Sequence, residues 1–119
     1  MVGPTITFDT VLDLCRDQHR RIVLAVLAEE QRSVTVDDLT MSILAYTQGT
    51  TMTKDSDEVR TQIRLTLHHT HIPKLESTDL IDKDPERQLV EPTARFDRVQ
   101  PYLSAIIELD PDLEYPIEV

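Results

Sequence analysis

A helix-length run without one acid, closed by a proline and followed by a turn between two short apolar stretches, constrains this chain more than any other segment. Residues 59–75, VRTQIRLTLHHTHIPKL, contain no Asp or Glu, although 22 of the 119 residues are acidic. Val59, Ile63 and Leu67 recur every fourth position, which on a helix places them on one face and predicts that this face turns inward. Asp55, Asp57 and Glu58 precede the run, and acids suit the positive start of a helix. Pro73 lacks a backbone donor and clashes with the turn before it, so the helix should bend or divide there. Downstream, Asp84-Pro85-Glu86-Arg87 carries the Asp and Pro that favour the first two positions of a type I turn. It joins residues 80–83 to residues 88–91 as a hairpin.

The segments upstream read as scaffold. Phe8, Val11, Leu12 and Cys15 recur at helical spacing. A second helix over 17–30 carries His19, Ile22, Val23, Val26 and Leu27 on a largely apolar stripe, with Arg16, Arg20 and Arg21 at its start. Residues 34–36 are long enough for a single rung of strand only. Thr35 with Asp38 three residues on resembles a capping box and opens a third helix through Leu39, Ile43, Leu44 and Tyr46. Residues 48–54, QGTTMTK, are a polar loop. Phe96, Val99, Leu103 and Ile106 form the stripe of a C-terminal helix over about 93–109, interrupted or kinked at Pro101, before an acidic tail over 110–119. Helix, strand rung, helix, long helix and hairpin make one α+β domain over 1–119, mainly α, with a core over about 8–92. The expected fold is a winged helix-turn-helix with a two-stranded wing and flanking N- and C-terminal helices.

Composition narrows the class. Hydrophobic residues make up 39% of the chain, which is enough for a packed core. No apolar run reaches the roughly 20 residues of a membrane span, and no signal peptide is expected. With Cys15 the sole cysteine, no intrachain disulfide can form and a reducing cytoplasm is the expectation. The formal net charge is -10, and of the 12 bases only Lys54, Lys74 and Lys83 are lysines. Such an excess either repels nucleic acid or marks a salt-accumulating source; few lysines and abundant Asp and Thr favour the second. In molar salt the screening length falls to about 3 Å, so net charge then opposes DNA binding only weakly.

The candidate site residues lie on the long helix and the hairpin. Arg60, Arg64 and His68 are spaced four apart and share a stripe away from the inward row, with Thr61, Thr66 and His69 adding polar groups nearby. Side chains of these types donate to base edges and phosphates from a helix in the major groove. Lys83 and Arg87 flank the hairpin turn, in reach of phosphate. His68, His69 and His71 also invite a metal-responsive reading, but zinc usually takes four ligands, often with cysteine, so no metal or cofactor is expected. Gly-rich phosphate loops, Cys-His pairs and His-Glu-x-x-His runs do not occur in the sequence, and no catalytic residue is assigned.

The run Thr70 to Leu80, THIPKLESTDL, resembles a T-H-[IL]-P-K-L-x-x-x-G-[LV] pattern in small winged-helix proteins of haloarchaea, a family described only as a domain of unknown function. Arg16 and the His19-Arg20-Arg21-Ile22-Val23-Leu24 run fit it too, and the resemblance spans about residues 8–92. One departure is Asp79, where the family has glycine, a residue suited to positive φ at a helix C-cap. More distantly, His71, Ile72 and Leu75 are similar to the end of the recognition helix in arsenic-repressor-like regulators. The resemblance implies a transcriptional regulator that binds double-stranded DNA. The alternative is a winged-helix protein-interaction module. A homodimer through the terminal helices is expected, because Phe96, Val99, Leu103, Ile106, Phe8, Val11 and Leu12 offer more apolar surface than so small a domain can cover.

Overall fold

Residues 22–28, IVLAVLA, have no polar side chain, and a helix apolar on every face must be enclosed on every face. The computed structural model describes residues 6–48 and 56–113 and places this segment in α2, Gln18–Glu30, with all of residues 22–28 buried. The expected single stripe is thus corrected: Leu24, Ala25 and Ala28 are as enclosed as Ile22 and Val26. Around α2 stand α1, Phe8–Leu14; β1, Val34–Thr35; and α3, Val36–Gln48. Then come α4, Ser56–Thr66; α5, Ile72–Ser77; β2, Ile81–Asp84; β3, Leu89–Pro92; and α6, Ala94–Glu108. Of the loop expected at 48–54, Gln48 instead ends α3, and residues 49–54 lie outside the described residues, as does the acidic tail beyond 113.

Local chemistry sets the helix ends. Thr7 accepts from the Thr10 N–H at 3.2 Å to cap α1, and Asp17 Oδ1 accepts from the N–H groups of His19 and Arg20 at 2.8 and 3.2 Å to cap α2. The Asp38 N–H donates to Thr35 Oγ1 at 3.0 Å, the main half of the expected capping box. Asp84 Oδ1 accepts from the N–H groups of Glu86 and Arg87, which closes the hairpin turn.

The two arginines that open α2 are structural. Arg20, almost fully buried, donates through Nε to the Leu14 carbonyl at 2.8 Å and through NH2 to the Asp13 carbonyl at 3.3 Å. Arg21 donates to the Cys15 carbonyl at 2.6 Å and to Asp110 Oδ2 at 2.8 Å. Each thus satisfies carbonyls that the end of α1 leaves without helical partners. Arg21 also ties the segment after α6 to the start of α2.

The sheet has three antiparallel strands in the order β1-β3-β2, where a two-stranded hairpin was expected. Val34 and Thr35 pair with Val90 and Leu89, and the Val36 N–H donates to the Gln88 carbonyl at 2.9 Å, so the short rung is a full edge strand. On the other side Ile81 to Asp84 pair with Pro92 to Leu89. Ile81, Lys83 and Val90 consequently share the inward face.

The expected break at Pro73 takes a specific form. Between α4 and α5 lies a π-helical turn, Leu67–His71, in which the Ile72 N–H donates to the Leu67 carbonyl five residues back. One extra residue in the turn relieves the clash that a proline ring imposes on a regular α-helix, so the chain stays helical from 56 to 77. α6 runs on through Pro101, which is exposed. Its inward stripe is Phe96, Val99, Leu103 and Ile107 rather than one ending at Ile106, and all four are buried. The apolar surface expected to be left over at Phe96, Val99 and Leu103, and at Val11 of α1, is therefore covered by the chain's own core. Among the described residues no helix is long and apolar enough to cross a membrane.

Asp79, where the sequence departs from glycine, has φ of 60°, in the left-handed region. A side chain in that region is strained by its own Cβ, somewhat less so for Asp than for most residues. Replacing Asp79 by Gly should raise stability by about 0.5–1 kcal/mol, read as a higher denaturant midpoint at unchanged slope. The exposed Arg95 contact to Asp79, 3.8 Å long, offsets little of this. A lower midpoint in the Asp79→Gly chain would show that the aspartate is worth more there than the strain.

Candidate nucleic-acid interface

Besides the packing of α5 against β2, a side-chain bond joins the long helix over 56–77 to the hairpin. Lys83, on the inward face of β2, donates through Nζ to His68 Nδ1 at 2.9 Å. An ammonium has only donors, so His68 accepts at Nδ1 and its neutral ring carries the proton on Nε2. Burial, followed by the nearby positive charges of Lys83, Arg64 and His69, holds His68 below the ordinary histidine pKa. The bond is therefore intact at neutral pH and is lost as acid protonates the ring. His68 and Lys83 were both expected at the interface; the fold brings them together, but with the lysine turned toward the helix rather than outward.

Arg60, Thr61 and Arg64 line one groove of about 480 Å³ with Asp37, Thr40 and Met41 from α3. Both guanidinium groups have acidic neighbours. Arg64 forms an ion pair with Asp37, and Arg60 lies 3.5 Å from Asp57 Oδ1. The arginine side chains remain 53% and 41% exposed for Arg60 and Arg64, so these are solvated contacts of small net value. Thr61 Oγ1 donates back to the Asp57 carbonyl at 2.8 Å and keeps its lone pairs for an incoming donor. His69 is exposed between this groove and the end of the helix.

Thr66 does not join that face. It lines a second groove of about 590 Å³ with Gln18, His19, Glu58, Gln62 and Ile63, and its hydroxyl donates to the Gln62 carbonyl at 2.9 Å. Arg87 stands at the hairpin tip, largely exposed, with Nε 3.8 Å from Asp84 Oδ2. The three histidines read as a possible metal cluster do not converge. His68 meets Lys83 and His69 faces solvent, whereas His71 is only 3% exposed and points to α2.

The sequence does not single out Asp37, which pairs with Arg64, or Leu65, which stands 45% exposed on the long helix. Asp37 and Arg64 are far apart in the chain, and no local pattern pairs them. Leu65 was legible: it falls outside the Val59, Ile63, Leu67 spacing.

Replacing Lys83 by Met removes the closest positive charge from His68, so the histidine pKa should rise toward its ordinary value. Titration of the His68 ring by NMR reads this directly. An unchanged or lower value would mean that the ammonium does not sit against the ring in solution.

Comparison with known proteins adds one finding. No curated protein and no solved structure matches the chain. A family model described as a domain of unknown function, DUF7344, matches residues 12–91, which runs from within α1 to β3 and takes in the long helix, the hairpin and both grooves. The chain belongs to the DUF7344 family.

Proposed function

We propose that the chain is a winged helix-turn-helix regulator that binds double-stranded DNA, with the helix over 56–77 in the major groove and the hairpin on phosphate. The observation that carries this reading is the exposed groove of Arg60, Thr61 and Arg64 on a long helix that is fastened to a hairpin by Lys83 and His68. The order α2, β1, α3, long helix, β2, β3, with β1 pairing beyond β3, supports a winged helix-turn-helix. Exposed guanidinium groups in such a helix can take the bidentate acceptors of guanine, and Arg87 at the hairpin tip can meet phosphate.

Acids beside both arginines, on a chain of net charge -10, set the conditions. The reading places the protein in the salt-rich cytoplasm of an archaeon. There, screening over about 3 Å weakens both the long-range repulsion and the Arg64–Asp37 pair. Phosphate contacts weaken in the same salt, so short-range base contacts have to carry more of the affinity. The same two acids favour a second reading, an interaction module whose arginines are held by its own carboxylates.

Fragments of genomic DNA enriched on the protein at moderate and at molar potassium chloride supply the test site. Arg64→Ala should weaken binding to that site by about 1–3 kcal/mol if the arginine takes a base edge, with thermal stability nearly unchanged. Asp37→Asn should strengthen it. Arg87→Ala, at the exposed hairpin tip, should lower affinity for all sequences alike. Unaltered affinity in Arg64→Ala, with the fold intact, removes the arginine from the site, and no enrichment at either salt leaves the interaction module.

The regulator is proposed to act as a homodimer through α1 and α6. The residues available for this are Phe8, Leu12, Tyr102 and Leu109, all exposed, with Phe8 and Tyr102 already edge to face at 5.5 Å. Along α6, Arg98 precedes Glu108, so an antiparallel pair of these helices sets unlike charges opposite each other. Light scattering in molar salt should give a dimer mass that Leu109→Asp, at an exposed position, converts to a monomer. A monomer mass for the unaltered chain removes the dimer.

A further inference from the structure

Three side chains with metal-ligating atoms meet at the junction of α2 and the long helix, and none lines the groove of Arg60 and Arg64. They are Asp17, which caps α2; His19, in its first turn; and His71, the last residue of the π-helical turn. One ligating atom from each lies within 4.8 Å of the others, and His71 Nε2 is 3.7 Å from Asp17 Oδ1. Bonds of about 2.0–2.1 Å to a tetrahedral ion set ligand atoms roughly 3.4 Å apart, so Asp17 and His71 are close to that spacing, and His19 lies within the same 4.8 Å group. We propose that Asp17, His19 and His71 bind one divalent transition-metal ion of the zinc type and thereby clamp the long helix to α2.

The ligand chemistry fits. Two imidazoles with one carboxylate is a set that zinc and cobalt accept, with a position left for water. A histidine must be neutral to bind metal. Burial keeps His71 below the ordinary histidine pKa, against the opposite pull of the Asp17 carboxylate. Both capping bonds to Asp17 fall on Oδ1, the oxygen that lies 3.7 Å from His71 Nε2, and Oδ2 carries neither. His19 borders the larger of the two grooves, which gives an ion a way in from solvent. Its ring stands edge to face with His71 at 5.9 Å, and the capping of α2 does not require a histidine there.

The π-helical turn supplies His71. A regular turn after Leu67 would direct one residue inward, but the widened turn admits both His71 and Ile72, and both are buried. Arg20 shapes the site from behind. Its NH1 faces His71 Nδ1 at 3.4 Å, and a guanidinium can only donate, so the ring's proton lies on Nε2. Coordination through Nε2 needs that proton on Nδ1 and gives up the Arg20 contact, while Arg20 keeps its bonds to Leu14 and Asp13. A metal-bound histidine normally donates its other N–H to an acceptor. A cation in that place weakens the site and suits an exchangeable ion.

The site stands independently of DNA binding, and its test uses no DNA. Untagged full-length protein is titrated with cobalt(II) near neutral pH and followed by visible absorption, with zinc added afterwards in competition. The expected result is one cobalt per chain, with the intense absorption of a four-coordinate site, displaced by zinc. His19→Ala should weaken binding about tenfold or more while leaving the circular dichroism spectrum unchanged, since His19 is only half-buried. His69→Ala, on the exposed face of the same helix, should bind as the unaltered chain does. Sub-stoichiometric uptake by the unaltered protein overturns the proposal. So does binding that survives His19→Ala, or binding that falls equally with His69→Ala.

Discussion

A helix buried along its whole middle has no solvated face to orient it, and this chain answers that constraint with two guanidinium groups at one end. Residues 22–28 are apolar on every side, so no contrast between a polar and an apolar face sets the rotation of α2. Arg20 and Arg21 remove that freedom by reaching the carbonyls of Asp13, Leu14 and Cys15 and the carboxylate of Asp110. Hydrogen bonds to charged groups contribute about 1.5–3 kcal/mol each, and a buried charge left without them costs more. The pair therefore fixes how α2 is turned, and with it the positions of α1, α6 and the long helix that pack around it.

The same arginines mark the limit of what the sequence shows. A cluster of bases before an apolar helix is an obvious pattern, but its partners are backbone carbonyls, which leave no trace in residue types. Features decided within four or five residues were legible: the Thr35 cap, the Asp84 turn and the disturbance at Pro73. Features decided by packing were not. β1 is two residues long, and only the geometry of β3 makes it a strand. α6 was read with Ile106 inward, whereas burial falls on Ile107, because a stripe spaced by three and four can be completed by either residue.

The candidate site divides along the same line. The spacing of Arg60, Arg64 and His68 placed them on the outer side of one helix, and the structure keeps the two arginines in one groove. Thr66 falls on the opposite side because it lies close to the inward Ile63 and Leu67 row. That Arg64 meets Asp37, and that Lys83 turns inward to His68, depend on how α3 and the hairpin are seated. Asp79 is the instructive intermediate: the family resemblance put glycine there, and the φ of 60° supplies the physical reason.

The π-helical turn divides the long helix into two parts with different angular phase. An α-helix advances about 100° per residue, so one inserted residue rotates everything after it by roughly that amount relative to an unbroken helix. Val59, Ile63 and Leu67 keep one phase, while Ile72 and Leu75 keep another. The outer surface of α4 can consequently change its side chains without disturbing how α5 meets β2, since the two halves obey separate registers. A single-residue deletion between 67 and 71 would merge the registers. It would swing the Arg60 and Arg64 face around the helix axis while the Pro73 to Leu75 anchor stayed in place.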